Sequence, residues 1–208
     1  MNVPPAPMFA VAGELPADDR GWAYEFKWDG MRCIAHRKAD SLVLHNRTAR
    51  DVTALYPELG PMIEALPPDT VVDGEIVALD HNSRPDLGLM QKRMNLNEPS
   101  VTADLVGHVP VNFFGFDLLR FDGRDLTGLA WHKRRGFLEE IDFNGPSWRV
   151  PPVFEGDGAA ILEAASRLGL EGIMAKRAEA IYLPGIRASA WRKIKLVDGD
   201  EFVVAGHT

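Results

Sequence analysis

Read for its apolar and polar positions, the chain divides into short β-rich runs with a few helical stretches between them. WAYEFKW and MRCIAHR flank Asp29-Gly30, and SLVLHNR follows the polar KAD, so residues 22–47 are predicted to form a three-strand meander. TALYPELGPMIEAL has helical spacing at Leu55, Leu59, Met62, Ile63 and Leu66, with Gly60-Pro61 placed to split it into two short helices. TVVDGEIVAL is the next strand and stops at DHNSRP, which is turn chemistry. DLGLMQKRM predicts a short helix, and VPVNFFGFDLLRFDG a strongly apolar strand closed by Asp122-Gly123.

In the second half, LAWHKRRGFLEEI predicts an amphipathic helix with its apolar side at Trp131, Phe137, Leu138 and Ile141. GDGAAILEAASRLGLEG is the clearest helix, with Ile161, Ala165 and Leu168 on one face and Gly169 just past its end. GIMAKR, AWRKIKL and EFVVAGHT read as strands, and the first eight residues, with three prolines, as an extended arm. Strands come in runs rather than in β-α-β alternation, so the expected class is α+β with mainly antiparallel sheets.

Composition narrows the class without naming a chemistry. The 208 residues fit one large domain or one and a half small ones. A hydrophobic share of 46% and a charged share of 25% are those of a globular chain, which excludes disorder. Apolar runs fall short of the roughly 18–20 residues of a membrane span. A single cysteine, Cys33, forms no internal disulfide and reads as a small buried hydrophobe without a catalytic role. No signal peptide is recognised in MNVPPAPMFA, and the expected setting is the cytoplasm, with a monomer as the default state. The histidines lack metal-ligand spacing, so no zinc site is expected.

A net charge of −7 speaks against a surface that binds nucleic acid everywhere. The charge is uneven, however. Residues 170–196 carry Lys176, Arg177, Arg187, Arg192, Lys193 and Lys195 against Glu171 and Glu179. Such a run is either a solvated surface or a face for a polyanion.

Two readings of Lys27 are open. Asp29-Gly30 is a strong hairpin signal, and a lysine beside it can simply face water. Alternatively Lys27 is a nucleophile. Asp-Gly recurs at 29–30, 73–74, 122–123, 157–158 and 198–199, so K-x-D-G alone decides nothing. Its company matters more: Glu75 follows a predicted turn in an apolar strand, Glu171 and Lys176 sit five apart, and Lys193 and Lys195 leave one face of a strand. Several cations with hard carboxylate oxygens suit a nucleoside triphosphate and Mg²⁺. Crowding by positive charge is also what lowers a lysine's pKa toward nucleophilic use.

At this point the chain resembles a known family. KWDGMR, HNRTARDVT, VDGEIVAL, FFGFDLL, LEGIMAK and WRKIK are similar, in order and relative spacing, to the nucleotidyltransferase motifs of ATP-dependent DNA ligases. The resemblance runs from about residue 8 to residue 205 and is closest to compact bacterial ligases, including those of end-joining repair. It implies two mainly antiparallel β-sheets flanked by helices, the ATP-grasp-like fold shared with mRNA capping enzymes. It implies that Lys27 forms a covalent lysyl-AMP from ATP, with Mg²⁺ or Mn²⁺ held by Glu75 and Glu171. Glu25 would read the adenine amino group, and Arg32 and Arg47 would approach ribose and nick phosphate. Phe116 would stack on adenine, its alternative being a core phenylalanine. Lys176 would lie under the base and α-phosphate, and Lys193 and Lys195 would hold phosphates. Trp28, Met174 and Trp191 would complete the nucleotide pocket, with Trp191 equally readable as core.

The family's Ser-Arg-Asn-Gly is replaced by Asn46-Arg47-Thr48-Ala49, which keeps the arginine and loses the Asn-Gly turn. The implied organisation is an adenylation domain over 1–198, with 199–208 beginning an oligonucleotide-binding-fold domain that is otherwise missing. Nicked or broken double-stranded DNA is the implied partner, and the isolated domain is expected to seal poorly. Alternatives are an RNA ligase, a GTP-using capping enzyme, or a non-catalytic module that binds nucleotide or DNA ends.

Overall fold

The computed structural model describes residues 4–94 and 106–196. EFVVAGHT, with the proposed boundary at 198, lies outside them. No helix among the described residues is long and apolar enough to cross a membrane.

The strands are β1 (Phe9–Ala12), β2 (Trp22–Phe26), β3 (Met31–Arg37), β4 (Leu42–Asn46), β5 (Thr70–Ala78), β6 (Val111–Phe121), β7 (Arg124–Asp125), β8 (Trp148–Arg149), β9 (Phe154–Glu155), β10 (Gly172–Arg177) and β11 (Arg187–Lys195). Two sheets result. One runs β1-β11-β10-β2-β9; the other runs β4-β3-β5-β6-β7, with β8 beside β6. Pairing is antiparallel except at β1–β11 and β6–β8. The helices are α1 (Met62–Ala65), α2 (Leu87–Met94), α3 (Trp131–Glu140) and α4 (Gly158–Arg167). The class is α+β, as the pattern predicts.

The predicted meander over 22–47 is not formed. β2 pairs with β10 and β9, whereas β3 pairs with β4 and β5, so the chain changes sheets between Phe26 and Met31. Both edges of each strand are occupied, which leaves Asp29-Gly30 as a crossover rather than a hairpin. Gly30 presses on β5: a Cβ there would stand 2.2 Å from the Ile76 carbonyl oxygen.

Asp73-Gly74 also departs from its turn reading. Both residues lie inside β5, at a register irregularity opposite β6. Gly74 is required by packing, since a Cβ would meet Phe113 Cζ at 2.4 Å. Alternation along β5 then puts Val71, Asp73 and Glu75 on one face and Val72, Ile76 and Ala78 on the other. The second set packs in the core of the six-stranded sheet with Cys33, Leu44 and Leu118. A separate cluster joins the two sheets, with Ala23 and Trp191 from one and Ile34, Val71 and Phe116 from the other.

The segment before β5 is broken as predicted, into 3₁₀ turns Thr53–Leu55 and Pro57–Leu59 followed by α1. α4 starts on Asp157, whose side chain accepts from the Ala160 N–H, and ends with Gly169 at φ 68°. There the Leu170 N–H donates to Ala165 O and the Gly169 N–H to Ser166 O, a Schellman closure.

Two apolar faces are corrected. Leu168 and Phe137 are exposed. On α3 the buried residues are Trp131, Arg134, Arg135 and Leu138. Arg134 reaches Asp117 of β6 through Nε and Nη2 at 2.8 and 2.7 Å, and Arg135 donates to Glu139 at 2.7 Å. The arginines take the inward face instead of Phe137 because they face carboxylates that the sheets bury, Asp117 for Arg134 and Glu25, 3.5 Å away, for Arg135.

Candidate nucleotide site

The sheet-changing crossover puts Lys27 where both sheets contribute wall. A cavity of about 310 Å³ is lined by Lys27, Trp28, Arg32, Arg47, Glu75, Phe116, Met174, Lys176, Trp191 and Lys193, together with Phe9, Ala10, Phe26 and Arg187. The Lys27 N–H donates to Gly172 O at 2.9 Å, which ties the crossover to the start of β10.

Glu171, immediately before β10, forms an ion pair with the Lys27 ammonium, and its other oxygen takes Lys195 at 2.5 Å. Burial alone would raise the Glu171 carboxyl's pKa, but hydrogen bonds from Lys195 and Lys27 outweigh it and hold it below the ordinary range. Neither Glu171 nor Lys195 is on the cavity wall; the Glu171 carboxylate links Lys195 to Lys27. Glu75 is on the wall. Burial, against the pull of Arg32 and Lys27, pushes its carboxyl up to about 8. Its side chain has no hydrogen bond or ion pair among the described residues. Burial and the neighbouring Glu171 also raise Asp29.

Arg32 is held from behind. Its Nε and Nη2 donate to Asp73 Oδ1 and Oδ2, each at 2.6 Å, and its guanidinium lies 4.6 Å from the Phe116 ring centroid. Lys176 is almost wholly buried beneath the cavity. Its ammonium stands 4.3 Å from the Phe116 centroid, 4.5 Å from Trp191 and 5.7 Å from Trp131. Burial pulls its pKa down.

Glu25 lies behind the wall rather than on it. Its Oε2 forms an ion pair with Lys176 Nζ at 2.6 Å, and its Oε1 is 3.5 Å from Arg135 Nη1. Arg47 stands exposed at the rim. Its loop turns without Asn-Gly: the Asn46 side chain accepts from the Thr48 and Arg50 N–H groups, each at 3.0 Å, and Ala49 takes φ 61°.

Asp73, Tyr182, Arg135, Phe9 and Ala10 are parts of this arrangement that sequence reasoning missed. Asp73 was hidden by its turn-like Asp-Gly. The adjacent Arg134-Arg135 on the inward side of a helix was the signal for the buried pairing.

A family model described as the ATP-dependent DNA ligase domain matches residues 14–195. The chain belongs to that family. The ligase-family relatives include the multifunctional non-homologous end joining DNA repair protein LigD of Mycobacterium tuberculosis, 37% identical over 203 residues, 97% of this chain and 25% of that protein. A probable DNA ligase of Saccharopolyspora erythraea is 35% identical over 175 residues, 82% of this chain and 32% of that one. Among solved ligases, mycobacterial DNA ligase D complexed with ATP and MES has a TM-score of 0.79 at 37% identity, over 92% of this chain and 60% of that chain. The chain therefore spans about a quarter of the length of the LigD relatives it matches. The two-sheet architecture is the ligase nucleotidyltransferase fold.

Proposed function

We propose that the chain is the adenylation domain of an ATP-dependent DNA ligase of the kind that acts in end-joining repair. One observation carries the reading: Lys27 stands on the crossover between two sheets, at the wall of a cavity that also holds Arg32, Lys176 and Lys193.

In this reading Phe116, Trp28, Met174 and Trp191 enclose the base and sugar, with Lys176 and Glu25 behind them. Lys193 and Lys195 balance phosphate charge. Once the Lys27 ammonium has lost a proton to the Glu171 carboxylate or to water, its amine attacks the α-phosphorus of ATP, and a second nitrogen proton leaves to water. A nitrogen–phosphorus bond forms as the bond from the α-phosphorus to the bridging oxygen breaks, and pyrophosphate leaves with that electron pair. AMP then passes from Lys27 to the 5′-phosphate of a DNA nick or end, which Arg47 at the rim is placed to meet. Attack by the adjacent 3′-hydroxyl releases AMP and leaves a phosphodiester.

Glu75 and Glu171 would hold Mg²⁺: both are hard carboxylates, Glu75 has no ion pair among the described residues, and Glu171 would exchange Lys27 and Lys195 for the metal. Bound there, the metal would supply positive charge to the polyphosphate.

The test is incubation with α-labelled ATP or GTP and Mg²⁺, followed by acid quench and peptide mapping. Label from ATP on Lys27, absent in Lys27→Ala, is expected. Label from GTP alone would end the ligase reading, and ATP binding without any adduct would leave a binding module.

A further inference from the structure

β1 lies outside the stretch matched by the family model, which begins at residue 14. Even so, Phe9 and Ala10 stand on the cavity wall. Parallel pairing with β11 brings them there, and the register slips between Ala10 and Val11, so regular pairing alone does not fix the strand. One hydroxyl does. Tyr182 Oη accepts the Met8 N–H at 2.8 Å and donates to Asp73 Oδ2 at 2.6 Å, and both bonds are buried. A phenol can accept and donate at once, which bridging a backbone N–H to a carboxylate requires.

Asp73 is the carboxylate that grips Arg32, and Arg32 Nη2 also reaches the Met8 carbonyl at 3.4 Å. Met8, Tyr182, Asp73 and Arg32 thus close a ring of hydrogen bonds behind the cavity. Nε and Nη2 of Arg32 are used in that ring. Nη1 has no hydrogen-bond partner among the described residues, so it is the part of the fork left for an anion in the cavity.

We propose that Tyr182 is a positioning residue for the nucleotide site: its hydroxyl seats β1 as a cavity wall and fixes the Asp73 carboxylate that aims Arg32 at the ligand. This rests on reading the cavity as an ATP site. The Tyr182 ring is 2% exposed and meets Trp191 edge-on at 5.8 Å, so Tyr182→Phe keeps the packing and removes only the bridge. Burial, then the Asp73 charge, raises the phenol's ionisation far above its usual range, which keeps it a donor at ordinary pH.

The experiment compares wild type, Tyr182→Phe, Phe9→Ala and the double variant by calorimetric ATP binding and by the ATP dependence of lysyl-AMP formation. Tyr182→Phe is expected to need roughly tenfold more ATP for half-saturation, with the saturated rate within about threefold of wild type. Phe9→Ala should weaken ATP binding too, and the double variant should lose less than the product of the single losses. Unchanged ATP affinity in Tyr182→Phe overturns the inference, even if its melting temperature falls, and so does a loss confined to the saturated rate. Should Tyr182→Phe fail to fold, normal ATP affinity in Phe9→Ala overturns it instead. A wild-type chain that binds no ATP overturns the functional reading and this inference together, whereas ATP binding unaffected in every variant overturns this inference alone.

Discussion

Lys27 and Glu171 meet as an ion pair between the crossover that follows β2 and the start of β10, and Lys195 shares the same carboxylate. In that ion pair Lys27 is an ammonium, which has no lone pair to offer a phosphorus atom. The proposed reaction therefore requires Lys27 to lose a proton, and phosphates that draw Lys195 away leave Glu171 a better acceptor for it.

Substitutions at Lys27 should separate the contact from the chemistry. Lys27→Arg keeps a cation for Glu171 and is expected to melt within a few degrees of wild type while forming no AMP adduct. Glu171→Gln weakens the hold on both lysines, and adduct formation is expected to slow by roughly 10–100-fold. Thermal melts and intact mass measure the two effects.

Glu75 makes stability depend on pH. Its carboxyl titrates at about 8 in the folded chain against 4.5 for an unperturbed glutamate. Between those values the folded chain binds more protons than the unfolded one, so stability from this group falls as pH rises through the window. Glu75→Gln should remove that slope and melt above wild type at pH 8, by an amount on the order of 1–2 kcal/mol once solvent screening of a partly exposed group is allowed for. Added Mg²⁺ should raise the wild-type melting temperature at pH 8 more than that of the variant.

Arg134→Ala would leave Asp117 charged, fully buried and without its bidentate partner. Breaking a buried pair from one side costs about 3–5 kcal/mol. A chemical denaturation curve should show that loss; a change below about 1 kcal/mol would mean that Asp117 finds a proton or another donor.

Ala49 holds a left-handed backbone at φ 61° beside the exposed Arg47. Relief of that strain in Ala49→Gly is worth roughly 1–2 kcal/mol, against about 0.5–1 kcal/mol for glycine's greater freedom when unfolded. A neutral or slightly stabilising effect is expected in denaturant titration, whereas Ala49→Val should destabilise.

The strands were legible because their apolar runs are dense and their borders carry Gly, Pro and Asp. Partnering was less so. Asp29-Gly30, Asp73-Gly74 and Asp122-Gly123 look alike as dipeptides, yet they form a sheet change, a strand interior and a hairpin. What separates them is the approach of distant backbone and rings, such as Ile76 over Gly30 and Phe113 over Gly74, which no local window contains. Most predicted pocket residues line one cavity, because motif spacing records which strand ends converge. Glu25 reads as a pocket residue in the sequence. Its place behind the wall, paired with Lys176 and near Arg135, depends on strands and a helix far apart in sequence, and only the adjacent Arg134-Arg135 hints at it.

The passage from β2 to β3 is the seam at which one sheet hands the chain to the other, and Lys27 is sewn into it. If the two walls spread or draw together, that stitch must travel with them. In the proposed reaction the reach of the amine is thus tied to the width of the cleft, and a ligand that wedges the sheets apart is expected to block adduct formation without touching Lys27.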